Sequence, residues 1–308
     1  MAQQNFHINL GGGRGGAGGA GGQQGGGGGA GQGAHIDMQN ENVTMYINSA
    51  AGTPEVDKKK IIDWISPINF FPRHQEVVNS RQENTGGWIF EVEAFKNWES
   101  AEDAKRLLWC SGVSGAGKTV LMSVIVDHFT QIQKQDPDIG CGFLYLNYQQ
   151  SDTQTLQNLL AAIWRQLIYN KSTGIDDAKA MYLSCQERET TLSLEEIQSL
   201  LQDFSPSFKQ IYIMLDALNE YSSNRQDLIS NILQIGKNVK LLVMSRPNIA
   251  APEEQELSRL LIEAHPEDIE KFISSNIKQY DNLHALIAKD SNLQSRIIKE
   301  LTETANGM

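Results

Sequence analysis

The sequence predicts an α/β protein: a mainly parallel five-stranded sheet held between two layers of helices, a three-layer sandwich. Three observations carry that expectation. From about residue 105, short apolar runs alternate with amphipathic helical stretches, the pattern of strands joined by crossover helices. The segment Gly112-Val113-Ser114-Gly115-Ala116-Gly117-Lys118-Thr119 fits G-x-x-x-x-G-K-[ST] and lies between one such run and one such helix. A later apolar run, 211–215, ends in the carboxylate of Asp216.

Taken in order, residues 1–53 form a glycine-rich, low-complexity tail. Positions 11–34 hold only Gly, Ala, Gln and one Arg. Glycine loses the most entropy on ordering, and nothing larger than alanine offers apolar burial to offset it, so a disordered linker is expected. Alternating stretches at 6–10 and 43–48 bracket the tract and read as half-buried strands. Residues 54–104 are a helical lead-in, with a helix at 58–65, a turn-like segment holding Gly86 and Gly87, and a helix at 91–98 that sets Phe95 and Trp98 on one face.

The core is placed at 105–264. Its expected strands are 106–110, 143–147, 211–215, 239–244 and a short 260–262. Its expected helices are 119–133, 155–168, a helix-rich stretch 176–204, and 227–235. Val120, Leu121, Val124, Ile125 and Phe129 fall on the inner face of the first. Ser193-Leu194-Glu195-Glu196 fits a capping box, in which the serine and glutamate side chains satisfy orphan helix amides reciprocally. A helical extension, 265–308, reads as the start of a lid, with helices at 267–277 and from 283 to about 304. The chain stops at Met308 directly after a helix, as a fragment or an early stop would.

Charge and cysteine usage exclude several classes. A net charge of −11 argues against a general nucleic-acid binder, which neutralises phosphates with clustered Lys and Arg. The one dense basic run, Lys58-Lys59-Lys60, reads as the solvated start of a helix. Cys110, Cys141 and Cys185 show no metal-ligand spacing, and the first two sit in or beside apolar runs as small buried hydrophobes do. No run approaches the roughly 18 consecutive apolar residues of a membrane span, and the N-terminus lacks a signal-peptide layout. The sequons at Asn42 and Asn170 therefore have no secretory context. A reduced, cytoplasmic protein is expected, with no membrane span and no nucleic-acid partner.

The glycine loop is the chemical centre of the sequence. Glycines let the backbone wrap closely round phosphates with successive amides turned inward, and the helix after the loop adds a positive end of about half an elementary charge. Lys118 is expected to reach the β and γ phosphates of a nucleoside triphosphate, and Thr119 to place its hydroxyl on Mg²⁺. Asp216, at the C-terminal end of its strand, is expected in the same metal shell, although an aspartate there can also simply be a helix cap after a core strand. Glu220 is placed to orient or deprotonate an attacking water. Arg246, after the fourth strand, reads either as a γ-phosphate sensor or as the partner of a surface carboxylate. Guanine recognition would need N-K-x-D after a strand. Asn170-Lys171-Ser172-Thr173 follows a helix and ends in threonine, so ATP or ADP is the expected nucleotide.

Five motifs, in order, resemble the NACHT-type STAND NTPases, and among them the fungal branch with a nephrocystin 3-like N-terminal P-loop domain. They are Trp64-Ile65-Ser66-Pro67, the segment from Arg81 to Trp88, the run from Leu108 to Leu121 holding the glycine loop, Leu215-Asp216-Ala217-Leu218-Asn219-Glu220, and Ser245-Arg246-Pro247. The resemblance implies a sheet with the glycine-loop strand in its middle. It also implies an ATP/ADP-controlled switch that is closed with diphosphate and self-associates with triphosphate, as in fungal NOD-like receptors of non-self recognition and programmed cell death. Residue by residue it makes Lys118 and Thr119 the Walker A pair, Asp216 the Walker B acid and Arg246 the sensor. Two departures stand out. The family's usual ending is Asp-Ala-Leu-Asp-Glu, and Asn219 replaces its second aspartate; an amide can bond a water but cannot hold a metal as a charged ligand or take a proton, so slow hydrolysis is expected. Full members also continue into a winged helix and a repeat array, which this sequence does not include. A rival reading is an assembly adaptor acting through the N-terminal segment, its alternating stretches pairing between chains. A small-molecule kinase is disfavoured, because the helical stretch 174–204 is acidic where a phosphate lid would be basic.

Overall fold

Five strands form one sheet: β1 (Leu107–Ser111), β2 (Ile139–Tyr145), β3 (Gln210–Asp216), β4 (Val239–Ser245) and β5 (Leu257–Leu261), in the order β2-β3-β4-β1-β5. Every pairing is parallel. The computed structural model describes residues 58–100, 105–171, 173–252, 257–279 and 292–305, all within one compact unit, Val56–Met308. The expected glycine-rich tail and its bracketing strands lie outside the described residues, as does the start of the helix expected from 283.

The central strand shows why helices must cover both faces. All seven residues of β4 are buried, and a parallel strand hidden on both sides reads as an unbroken apolar run rather than an alternation. Helix α4 (Lys118–Gln135) packs on β2, β3 and β4, and α5 (Leu156–Asn170) on β2. Helix α8 (Arg225–Gln234) lies on β4, and α3 (Glu93–Ser100) on β1 and β5. Phe95 and Trp98 of α3 do share a face, both fully buried, where Trp98 meets Phe129 and Phe129 stacks on Tyr212 at 4.1 Å. Helices α6 (Thr173–Glu187) and α7 (Leu194–Phe204) fill the connection from β2 to β3. The capping box at the start of α7 is formed: Ser193 Oγ accepts from Glu196 N at 3.2 Å, and Glu196 Oε2 accepts from Ser193 N at 2.8 Å.

Four expectations need correction. The loop strand β1 is interior but stands one place from the edge, because the chain leaves it through α4 and returns at the far side as β2, leaving β3 and β4 to fill the gap. A helix, α2 (Phe71–Ser80), occupies the segment after Pro67 that carries no helical periodicity; it buries only Val77, and Pro72 is tolerated because it falls in the first turn. The helix placed at 91–98 is a 3-10 turn, Gly87–Glu91, followed by α3. Strand β2 begins at Ile139, where Gly140 and Gly142 blank out the hydrophobic pattern.

Beyond the sheet, α9 (Pro266–Gln279) and α10 (Leu293–Ala305) pack on each other. Among the described residues no helix is long and apolar enough to cross a membrane.

Candidate phosphate-binding site

The loop that leaves β1 is pinned before it turns. Gly112 N donates to Ser245 O at 3.2 Å, and Ile262 N to Ser111 O at 2.7 Å. A side chain at Gly112 has no room, since a Cβ there would lie 2.3 Å from the Ile262 carbonyl oxygen. Gly115 and Gly117 take φ of +86° and +81°, the left-handed conformation that an amide nest needs and that L side chains resist. Helix α4 then starts at Lys118, with its positive end at the loop. The Lys118 ammonium curls over the loop and donates to Gly112 O at 2.6 Å and Val113 O at 2.7 Å. Burial lowers its pKa, the Asp216 carboxylate works the other way, and the Arg246 charge lowers it further.

Asp216 ends β3, two strands from β1, with only 3% of its surface exposed. Burial pushes its pKa up to about 6, against the pull of a hydrogen bond with the Thr119 side chain, the Ala217 backbone N–H and the Lys118 charge; Glu220 adds to the rise. Ala217 then turns the chain with φ +58°, left-handed for a residue that has a Cβ, into a 3-10 turn at Leu218–Glu220. Arg225 clamps that turn, its Nε donating to Leu218 O and its Nη2 to Asn219 O, each at 3.1 Å. Glu220 Oε2 accepts from Tyr148 N at 3.3 Å.

Thr119, Asp216 and Glu220 therefore line one polar cavity of about 590 Å³, with Lys118 close enough to feel the Asp216 charge. The Asn219 side chain is not part of its lining, and Arg246 stands exposed just past β4. Val113 is also exposed, at 39%, on the crown of the loop. The cavity suits a metal held mainly by a ligand: the Thr119 hydroxyl and the Asp216 carboxylate are hard oxygen donors, already paired with each other. Mg²⁺ characteristically takes one or two carboxylates and fills its octahedron with phosphate oxygens and water.

Sequence reasoning missed the other wall. Tyr145 lines the cavity, and its hydroxyl lies 3.0 Å from His74 Nδ1, while His74 Nε2 is 3.1 Å from Asp127 Oδ1. Arg81 completes the chain, donating to Asp127 Oδ2 at 2.8 Å and to Ser123 Oγ at 3.1 Å. Partial burial works against the Asp127 charge, yet the bonds from His74 and Arg81 hold its carboxyl below the ordinary carboxylate range. This network ties α2 to β2 and α4. Its members are scattered in sequence, so no local pattern announces it.

A glycine loop between a parallel strand and a helix, with a buried carboxylate at the end of a nearby parallel strand, defines a P-loop NTPase domain. The chain belongs to the nephrocystin 3 N-terminal family, whose model matches residues 84–246, from the segment ahead of Trp88 to Arg246. It carries a NACHT-like NTPase domain, the nucleotide-binding domain type of NOD-like signalling proteins. It is 28% identical over 234 residues to the vegetative incompatibility protein HET-E-1 of Podospora anserina. That match covers 71% of this chain and 17% of the relative, so the chain spans a small part of the relative's length. Similarity to solved structures is more remote. A Drosophila ORC structure bound to DNA is 15% identical with a TM-score of 0.39, covering 80% of this chain and 56% of that one. The Aeropyrum pernix ORC1 protein in complex with DNA is 15% identical with a TM-score of 0.37, covering 72% and 54%.

Proposed function

We propose that this chain is an adenine-nucleotide switch that binds ATP or ADP with Mg²⁺ and works through the state it holds rather than through rapid turnover. The observation that carries the reading is the Lys118 ammonium held over the glycine loop beside the paired Thr119 and Asp216 side chains. On this reading the loop from Gly112 to Thr119 cradles the phosphates, Lys118 moves from loop carbonyls to phosphate oxygens, and Thr119 and Asp216 hold the metal. Arg246, exposed and close enough to influence Lys118, meets the γ-phosphate. Glu220 orients the attacking water, and its carboxylate is already shared with the Tyr148 amide, which tempers it as a base. With Asn219 beside it in place of an acid, hydrolysis is slow.

Adenine is favoured because Asn170-Lys171-Ser172-Thr173, the only sequence resembling a guanine-reading element, falls at the junction of α5 and α6 and not at a strand end. The relative is named a vegetative incompatibility protein. A role of the same kind, with self-association in the triphosphate state in the cytoplasm, is the biological setting we assign. Calorimetric titration with Mg-ADP and Mg-ATP tests the core of this reading. The parent protein binds, and Lys118→Ala loses at least about tenfold in affinity, as removal of a charge-assisted contact demands. A parent protein that binds neither nucleotide at millimolar concentration sinks it.

A further inference from the structure

The polar cavity lies on one side of the glycine loop. A second cleft, of about 320 Å³, opens against Gly115, Ala116, Gly117 and the first turn of α4. Its other walls come from two places far apart in sequence: the segment before and including Trp88, and the start of α9 with His265, Asp268 and Phe272. Trp88 and His265 stack at 5.2 Å between centroids with their planes 12° apart, which gives the cleft a flat aromatic wall. Phe272, 57% exposed, adds an uncovered ring. His265 Nδ1 is buried yet has no hydrogen-bond partner among the described residues, a condition that is costly unless a ligand supplies the missing bond.

We infer that this cleft holds the base of the nucleotide: a purine ring lying against the aromatic side chains, with an N–H on its edge donating to His265 Nδ1. The inference rests on the phosphate-cradle reading above, since the loop separating the two cavities fixes where the phosphates lie. A nucleotide is charged at one end and flat and weakly polar at the other. The two cavities differ in the same sense, carboxylates and hydroxyl on one side, rings and aliphatic groups on the other. Base–aromatic stacking has the strength to anchor such an end.

The cleft also links the base to α9. Asp268 Oδ2 accepts from Gly86 N at 2.9 Å and from Trp88 Nε1 at 3.0 Å, and Lys271 Nζ donates to Asn84 O at 2.7 Å. Asp268 is thus a positioning residue that sets the Trp88 ring and fastens α9 to the 84–88 segment. A base in the cleft touches both sides of that junction. Occupancy therefore holds α9 on the domain, and phosphates alone do not.

The test uses the full chain, with ADP, GDP and pyrophosphate titrated in the presence of Mg²⁺, and hydrogen exchange of α9 followed with each. Phe272→Ala and Trp88→Ala each weaken nucleoside diphosphate binding about tenfold while leaving pyrophosphate binding unchanged. Phe272 is exposed, so its variant keeps the test sound if Trp88→Ala disturbs folding. ADP slows exchange in α9, and pyrophosphate does not. Whichever of ADP and GDP binds tighter names the base, with the same dependence on Phe272 required of it. Cleft variants that bind nucleoside diphosphates like the parent, or equal protection of α9 by pyrophosphate, overturn the inference while a loss of both probes in Lys118→Ala leaves the cradle standing. If Lys118→Ala binds both probes like the parent, the cradle reading fails and this inference with it.

Discussion

At the scale of single residues, Asp216 sets the chemistry and its pH dependence. Its folded pKa of about 6 lies above its ordinary value of 3.8, chiefly because burial disfavours the charge. The folded protein therefore keeps a proton that the unfolded chain gives up. The stability this contributes is complete below the unfolded value and is lost as pH rises through about 6. Asp216→Asn cannot ionise, so it is expected to stabilise the nucleotide-free protein at pH 8 by on the order of 2 kcal/mol and to change little near pH 4. Paired thermal melts at the two pH values check this, and equal shifts at both would assign the gain to packing instead. In the parent protein, the Mg²⁺-dependent part of nucleotide affinity should fade as pH drops through about 6, since a protonated carboxyl is a poor metal ligand. The neighbouring substitution points to turnover. Arg225 holds the backbone carbonyls of Leu218 and Asn219, so Asn219→Asp is accommodated without moving the turn. It is expected to raise phosphate release several-fold over the parent, and an unchanged rate would remove Asn219 as the cause of slow hydrolysis. Lys118, Thr119 and Asp216 were legible in the sequence because each is defined by its immediate neighbours. The Tyr148 amide that engages Glu220 was not, because it arrives from the end of another strand.

At the scale of elements, the loop works because β1, β4 and β5 converge at its base. Gly112 sits where the Ile262 carbonyl presses closest, and an added Cβ at 2.3 Å from a backbone oxygen can be relieved only by moving a strand end. Gly112→Ala is therefore expected to cost about 1–3 kcal/mol, the usual range for overpacking, and to weaken nucleotide binding as well. Urea unfolding and Mg-ADP titration of the same variant check both, and loss of stability without loss of binding would separate the loop from its foundation. The strands that hydropathy revealed most clearly, β3 and β4, are those with both faces covered, where every side chain must be apolar whichever way it points. The capping box at Ser193 was equally plain, being written in four consecutive residues. Helix α2 escaped notice because one buried valine makes no periodicity, and its contribution is made through His74 and its bonds to Tyr145 and Asp127. The place of β1 in the sheet was not legible either. Crossover lengths bound which strands can be neighbours but do not order them.

For the whole molecule, the decisive balance is between a net charge of −11 and a ligand that is itself strongly anionic. The protein as a whole repels a nucleotide, so affinity has to be generated locally, by Lys118, by the N-terminal end of α4, by the exposed Arg246 and by the metal. Removal of Mg²⁺ should then weaken binding more than it would in a basic protein. Binding to the folded form alone raises stability by RT ln(1 + [L]/Kd), about 2.7 kcal/mol at a hundredfold excess over Kd. For a domain of this size, that corresponds to a rise in Tm of about 5–10 °C. Mg-ADP at such an excess should produce this shift in the parent protein. The same ADP with EDTA should give a much smaller shift, and Lys118→Ala should give none at the same concentration. Raising the salt separates the contributions: exposed Arg246 lies within reach of screening, whereas Asp216, buried beside Thr119, is shielded from it. Arg246→Ala should therefore flatten the salt dependence of the shift while keeping its Mg²⁺ dependence. A shift that survives EDTA undiminished in the parent would mean that the loop holds phosphates without the metal, and would take Thr119 and Asp216 out of the site.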